Sequence, residues 1–343
     1  MTMMLFRSAR ESDLDAIHHL AEHSGIGITT LPKDITLLKK RLGWSTASFN
    51  KAVDAPLYEY YLFVLECTEN GRIVGTSAIE AAIGHDEPFY SYKLSKRTRV
   101  CRELNIRNDY EILSLVNDNQ GHSEMCTLFL DPNYRNNSNG LLLSRARFLF
   151  IAHHPERFAS HVIADMRGIA DEEGNSPFWE QIGHHFFKMT FAEADRLTLS
   201  TNKQFIADLM PRHPIYVKLL SPEAQAVIGQ PHQSTMPAMK ILLQEGFRYS
   251  NYIDIFDAGP TIEALRDQIK TVSSSILLTV KNIINEVDSN RFIIANTQLD
   301  FRATVSQIVI NEPQCSCIID EKTAEILQIK PGDVVRISPL HLT

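Results

Sequence analysis

Short apolar runs alternate with amphipathic segments in the N-terminal part of the chain, which predicts strands and helices in turn. Met4–Ser8 is an apolar strand, and after Asp13 the apolar positions of residues 14–21 recur at the three- and four-residue spacing of a helix. Residues 60–66 and 72–81 are rich in aliphatic and aromatic side chains and flank an Asn-Gly turn. They therefore predict a hairpin of two buried strands.

The middle of the chain contains a longer apolar run, Ser123–Leu130, which stops at Asp131-Pro132 and leads into a helical pattern over residues 140–152. Its length and its proline stop predict a buried central strand. Residues 177–183 and 238–246 are both short helical patterns closed by glycine, with aromatic residues just after it. The similarity of these two units favours a duplicated α/β module.

From about residue 275 the pattern changes to short strands. They are predicted at residues 291–296, 301–310, 316–319 and 334–338, with one short helix at 322–327. We interpret this β-rich unit, in which no chemistry is visible, as a structural or oligomerising appendage.

Composition narrows the class of protein. With 343 residues and 22% charged residues, the chain is expected to be a folded protein of two domains, or of one large domain with an appendage. Its net charge of −7 argues against a generic binder of nucleic acid or anionic membrane. No apolar run reaches the roughly 18–20 residues of a membrane helix, and the N-terminus does not read as a secretory signal. The five cysteines form neither a disulfide framework nor a metal cluster. We therefore expect a soluble cytoplasmic protein without a bound metal.

The segment after the central strand is the strongest candidate for binding chemistry. Arg135, Ser138 and Gly140 lie between that strand and the following helix. Small residues there let backbone amides at a helix N-terminus approach a phosphate, and a cation lies nearby. Spacing alone leaves three interpretations open: a nucleotide site, a CoA site or a plain strand–helix connection.

The pattern Arg135-x-x-Ser138-x-Gly140 after an apolar strand resembles the acyl-CoA signature of GNAT-type N-acyltransferases. Further segments, spread in order over residues 1–262, resemble the bacterial arginine N-succinyltransferases. They are Gly27-Ile-Thr-Thr-Leu-Pro32, Cys126-Thr-Leu-Phe-Leu-Asp-Pro132, Asn139-Gly-Leu-Leu-Leu-Ser144, Met166-Arg-Gly168, Ser176-Pro-Phe-Trp179, Met210-Pro-Arg-His-Pro-Ile-Tyr216, Gly229-Gln-Pro-His232 and Gly246-Phe-Arg-Tyr-Ser-Asn-Tyr-Ile-Asp-Ile-Phe-Asp257.

This resemblance implies an α/β fold of tandem GNAT-like modules, with a mixed sheet, flanking helices and a small C-terminal β-rich domain. Residues 1–190 would form the acyl-CoA-binding module, 191–270 a second portion carrying the catalytic loop, and 271–343 the β-rich domain. The implied reaction transfers succinyl from succinyl-CoA to the α-amine of L-arginine, the first step of arginine degradation. No cofactor would be permanently bound, and we expect a homo-oligomer.

The resemblance also implies site residues. Leu128 would contact succinyl-CoA through its backbone N–H, with Arg135, Ser138 and Gly140 at the CoA phosphates. The family's proton donor falls on His232, in a loop, and an imidazole can both gain and lose a proton near neutral pH. Ser138 departs from the glycine of the general signature, and serine resists positive φ.

Recognition of the guanidinium should need a carboxylate. Asp118 and Glu124 are candidates, as are Asp254 and Asp257, and the sequence does not choose among them. Glu124 could instead be a general base. The basic run over residues 93–107 could bind the succinyl carboxylate or the CoA phosphates, or could be solvated surface.

Three alternatives to an arginine N-succinyltransferase stay open. The same fold could act on ornithine or another basic amino acid. A non-catalytic sensor could bind acyl-CoA or arginine and control a partner, and it would tolerate loss of His232. A scaffold organised by the C-terminal unit is the third alternative.

Overall fold

A continuous mixed sheet runs through the computed structural model, which describes residues 3–25, 30–171, 173–200 and 204–341; within these ranges the sheet has 16 strands. The strands are β1 Met4–Ser8, β2 Tyr60–Cys67, β3 Ile73–Glu80, β4 Ser91–Cys101, β5 Ile106–Val116, β6 Ser123–Leu130, β7 His161–Asp165, β8 Ile215–Tyr216, β9 Arg248–Ile253, β10 Pro260–Leu265, β11 Ile276–Ile284, β12 Arg291–Asn296, β13 Arg302–Gln307, β14 Val309–Asn311, β15 Ser316–Asp320 and β16 Val334–Pro339. The α-helices are α1 Leu14–Glu22, α2 Ile35–Asn50, α3 Asn139–His153, α4 Pro177–Gln181, α5 Gly183–Phe187, α6 Phe191–Ser200, α7 Gln204–Leu209, α8 Pro222–Val227, α9 Met236–Gln244, α10 Lys270–Ser274 and α11 Glu321–Leu327. Among them, none is long and apolar enough to cross a membrane.

The strand order is β14-β15-β11-β16-β12-β13-β1-β2-β3-β6-β7-β10-β9-β4-β5-β8. The C-terminal strands extend the sheet, because β13 pairs with β1 at Ala303 and Phe6. β9 and β10 pair with β4 and β7, so both predicted GNAT-like portions share one sheet. The predicted α/β fold with flanking helices and a β-rich C-terminal unit is confirmed, while the domain boundaries stay a prediction.

The sheet parts at its centre. β6 and β7 are parallel and, among the described residues, pair only through Ser123–Val162 and Glu124–Ile163. Farther along β6, its register against β3 shifts at Thr127, whose φ of 58° is left-handed. This β-bulge and the parting of the two strands open a cleft at the middle of the fold.

The core behind the cleft is built around α3. Phe150 of this helix packs 5.3 Å from the ring of Phe63 on β2 and 5.2 Å from that of Phe301, next to β13. Phe6 on β1 stacks on Phe63 at 4.8 Å. Since α3 is buried on nearly every side, its sequence carries little polar content. The N-terminal strands, α3 and the C-terminal unit therefore share one core.

Two local features differ from the expectation. No strand was predicted over the basic run of residues 93–107, but this run falls on the paired 11-residue strands β4 and β5, whose exposed outer halves carry polar side chains. Gly183 does not close a helix into a strand, because it begins α5 beneath the ring of Trp179. Of the two glycine-closed units, only the one at Gly246, where φ is 102°, leads from a helix into a strand.

Candidate active site

A cavity of about 1330 Å³ occupies the cleft where β6 and β7 part. Its walls come from β6, the start of α3, one face of α2 and the loop before α9. Most of the residues predicted from sequence line it together: Glu124, Leu128, Arg135, Ser138, Gly140 and His232.

One end of the cavity is the N-terminus of α3. Ser138 caps this helix with φ 68° and ψ 14°, so it adopts the left-handed conformation that the family's glycine would favour. A side chain in this region costs roughly 1–2 kcal/mol. The N–H groups of Gly140 and Leu141 meet no acceptor within the described ranges, and a Cβ added at Gly140 would touch no protein atom. This end presents free helix-terminal donors to the cavity, as an anion site requires.

Arg135 adds a positive charge to this end. Its Nε donates to the carbonyl oxygen of Leu130 at 3.0 Å, and its guanidinium carbon lies 6.0 Å from the centre of the Phe129 ring. The hydrogen bond fixes the stem of an otherwise exposed side chain. Arg135 lines the cavity together with the helix start.

The bulge forms the middle of the cavity wall. The N–H of Thr127 donates to Thr30 Oγ1 at 3.0 Å, and its hydroxyl lies 2.9 Å from that of Tyr60. These bonds hold the left-handed residue in place, and Leu128 follows it, half-buried in the wall. Thr30 belongs to the predicted segment 27–32, of which residues 30–32 are described and residues 27–29 lie outside the described ranges.

His232 lies on the opposite wall. Its backbone N–H donates to the carbonyl oxygen of Arg167 at 2.7 Å, and its Nδ1 lies 2.7 Å from Ser234 Oγ and 3.2 Å from the Ser234 nitrogen. Partial burial and the positive charge of Arg167 lower the pKa of His232, which is therefore neutral at pH 7. Ser234 was not singled out from sequence, and its position two residues after the histidine was the available signal.

Two carboxylates face each other near the start of β6. Glu124 pairs with Glu80 across β3 and β6, and both line the cavity. Residues directly opposite on antiparallel strands have Cβ atoms about 4.5–5.5 Å apart. Glu80 was missed by sequence reasoning, although it is the polar end of an otherwise apolar predicted strand.

The other predicted carboxylates are engaged elsewhere. Asp118 is exposed outside the cavity lining and accepts from Lys93 Nζ at 3.0 Å and the Tyr252 hydroxyl at 2.8 Å. Asp254 and Asp257 line the cavity but accept from backbone N–H groups of their own turn. Burial raises the pKa of Asp254.

The basic run over residues 93–107 lies on the β4–β5 hairpin. Its side chains do not line the cavity, and two of them, Lys96 and Arg107, lie 3.8 and 3.7 Å from Asp109. The interpretation as solvated surface agrees with this placement.

Comparison with known proteins shows which family the chain resembles over its whole length. The family profile described as "Arginine N-succinyltransferase beta subunit" matches residues 4–271, and that of the same subunit's C-terminal domain matches residues 277–339. A Photorhabdus laumondii protein named "Arginine N-succinyltransferase" is 45% identical over 98% of both chains. A Pseudomonas aeruginosa protein named "Arginine N-succinyltransferase subunit beta" is 43% identical over 98% of both chains. The solved structure of "arginine/ornithine succinyltransferase subunit AI" from Pseudomonas aeruginosa superposes with a TM-score of 0.91, at 35% identity and full coverage of both chains.

Proposed function

The chain belongs to the arginine N-succinyltransferase family, and we propose that its central cavity transfers the succinyl group of succinyl-CoA to the α-amine of L-arginine. The chain is an acyltransferase of arginine catabolism whose acyl donor is a CoA thioester. One observation carries the assignment of the reaction to this cavity. The bulge at Thr127–Leu128, the helix N-terminus with its free donors and His232 all line the same cavity, which would accommodate thioester, phosphates and proton carrier in one site.

The helix start would hold the donor. Backbone N–H groups of Gly140 and Leu141 would bind the CoA pyrophosphate, and the charge of Arg135 would complement it. The open space at Gly140 supports this proposal, because the backbone can approach a phosphate there without interference from a side chain.

The bulge would hold the reacting carbonyl. The N–H of Leu128 would donate to the thioester oxygen as it becomes an oxyanion during attack. The left-handed backbone at Thr127 supports this proposal, since a bulge re-aims backbone groups away from the neighbouring strand. An ordinary apolar side chain at Leu128 suffices for this role.

His232 would carry the proton. The amine nitrogen bonds to the thioester carbon, the carbon–sulfur bond breaks, and the proton lost by the amine goes to the CoA thiolate. Because the lowered pKa keeps the ring neutral, it must receive a proton before it can give one. This requirement favours a role as a proton shuttle. The Ser234 backbone N–H donates to Nδ1 at 3.2 Å, so Nδ1 is an acceptor in the neutral ring and Nε2 carries the ring's proton.

Glu124, with Glu80, would bind the positively charged end of the amino acid. Leu128 is four positions after Glu124, about 13 Å along the strand, a distance that an arginine side chain and a glutamate side chain can span together. An ornithine ammonium would also satisfy these carboxylates, and the name of the Pseudomonas aeruginosa structure includes ornithine. Ornithine is therefore the second candidate acceptor. Homo-oligomer formation and a cytoplasmic location stay predictions from the sequence.

Thiol release tests the proposal. The purified chain would be incubated with succinyl-CoA or acetyl-CoA, each with arginine, ornithine and lysine, and free CoA would be titrated with a thiol reagent. We expect the fastest release with succinyl-CoA and arginine. Absence of release with every pair would refute the transferase assignment, and faster release with ornithine would make ornithine the acceptor.

A further inference from the structure

Arg41, on α2, is a cationic side chain of the cavity wall, and its guanidinium is not fully hydrogen-bonded within the described ranges. The side chain lines the cavity, and its Nη1 is inaccessible to solvent and has no hydrogen-bond partner within the described ranges. A buried cationic donor left unpaired is destabilising by more than a lost neutral hydrogen bond. Such a group indicates an acceptor that arrives with a ligand.

The position of Arg41 is fixed by aromatic contacts. Its guanidinium carbon lies 5.5 Å from the centre of the Tyr60 ring, and Trp44 stacks on the same ring at 4.9 Å. The Tyr60 hydroxyl lies 2.9 Å from Thr127 Oγ1, next to Leu128. Arg41 is therefore separated from the bulge by the width of one tyrosine side chain.

The charges around Arg41 leave room for another anion. Its electrostatic neighbours are Tyr60, Cys126 and Glu80. Burial raises the pKa of both the Tyr60 phenol and the Cys126 thiol, so both are neutral. Glu80 is the one charged neighbour of these three, and it pairs across the strands with a second carboxylate, Glu124. The guanidinium has five N–H donors and can bind Glu80 and a further carboxylate at once.

We propose that Arg41 binds a carboxylate of a substrate through its guanidinium group, an inference that rests on the proposed succinyl transfer. Two carboxylates can come within reach of the bulge. The terminal carboxylate of the succinyl group is a few bonds from the thioester carbon, and the α-carboxylate of the amino acid is on the carbon that bears the reacting amine. Binding of either carboxylate would give Arg41 a role in selecting substrates. The basic run of the β4–β5 hairpin, which does not line the cavity, would have no such role.

Binding measurements on Arg41→Met separate the two sources. Calorimetry would give the affinity for succinyl-CoA and for butyryl-CoA, which lacks the terminal carboxylate, and then for arginine and for agmatine, which lacks the α-carboxylate. A charged hydrogen bond lost from the site should weaken binding about 10- to 100-fold. Weakening confined to succinyl-CoA assigns the acyl carboxylate, and weakening confined to arginine assigns the α-carboxylate.

Controls keep the result interpretable. Lys40→Met removes a charge from an exposed position of the same helix and should change none of the four affinities. Arg41→Lys keeps the charge and the aliphatic stem, and it should restore part of the binding if the methionine variant does not fold. Equal weakening of all four ligands, or of none, would overturn the assignment of Arg41. Thiol release by the unmodified protein tests the transferase activity separately, so the two failures can be told apart.

Discussion

Arg145 joins the middle of α3 to the C-terminal unit through a buried network, and its removal should destabilise the whole fold. Its Nε donates to Glu245 Oε1 at 2.6 Å, and the pair is almost inaccessible, with 2% and 0% of the side chains exposed. Its Nη1 donates to the carbonyl oxygens of Leu340 at 2.7 Å and Pro339 at 3.0 Å, and its Nη2 to Ser338 Oγ at 3.0 Å.

Arg145→Met should lower the free energy of unfolding by about 3–5 kcal/mol, because it leaves Glu245 as a buried charge without its cation. Changing both residues, Arg145→Met with Glu245→Gln, should cost about 2 kcal/mol less than the sum of the single changes, since the uncompensated charge is then gone. Thr271 donates to Glu245 from its backbone N–H at 2.7 Å, and glutamine can keep that bond.

Urea denaturation followed by circular dichroism measures these values. Arg72→Met is the matched control, because Arg72 is 52% exposed and lies 3.3 Å from Asp131. An exposed pair contributes about 1 kcal/mol or less. A loss under about 1 kcal/mol for Arg145→Met, or strict additivity in the double variant, would refute the view that this pair holds the C-terminal unit to the core.

Three further predictions concern the cavity. In steady-state assays, Gly140→Val should raise the KM for succinyl-CoA and leave the KM for arginine unchanged. Gly43→Val, also in a helix with open space around it, should alter neither KM. An unchanged KM for succinyl-CoA in Gly140→Val would show that the CoA phosphates bind at another place. His232→Ala should lower kcat about 10²–10⁴-fold while succinyl-CoA binding is retained. In the unmodified protein the pKa of His232 is lowered and the neutral ring is the active form, so kcat should fall only as the pH drops below about 6.5, the ordinary pKa of histidine. Full activity of the variant would make Glu124 the candidate base. Ser138→Gly should raise the free energy of unfolding by about 1 kcal/mol, since glycine accepts φ 68° without strain, while Asn137→Gly at φ 48° should gain less because asparagine tolerates this region; a loss of stability for Ser138→Gly would contradict this.

The pattern of apolar residues along the chain predicted the strands that are buried on both faces. Met4–Ser8, Ser123–Leu130 and Arg291–Asn296 begin and end where the sequence placed them. It failed for the β4–β5 hairpin, whose exposed half has no apolar alternation to detect. It also failed for β11, where exposed leucines and isoleucines alternate poorly with polar residues.

The residues of the candidate site likewise fall into some that the sequence identified and some that it did not. The resemblance to a known family supplied Leu128, Arg135, Ser138, Gly140 and His232, and the fold brings them into one cavity. Asp118 was named because it lies near matched motifs in the sequence, but distance along the chain does not decide which side chains face a cavity. Glu80 lies far from Glu124 in sequence and reaches it through strand pairing, and Arg41 approaches Glu80 through packing of α2 on the sheet. No local pattern carries that information.

The left-handed threonine at the bulge shows why the reactive geometry itself escapes sequence reasoning. A β-branched residue at φ 58° is unfavourable on its own, and nothing in the run Cys126-Thr127-Leu128 signals a bulge. The conformation is stabilised from a distance, by Thr30 through its hydroxyl and carbonyl and by the Tyr60 hydroxyl. Tyr60 is in turn held between Trp44 and Arg41. The same aromatic contacts therefore maintain the strained backbone beside Leu128 and place the unpaired donor of Arg41, so the carbonyl site and the carboxylate site are parts of one packed unit.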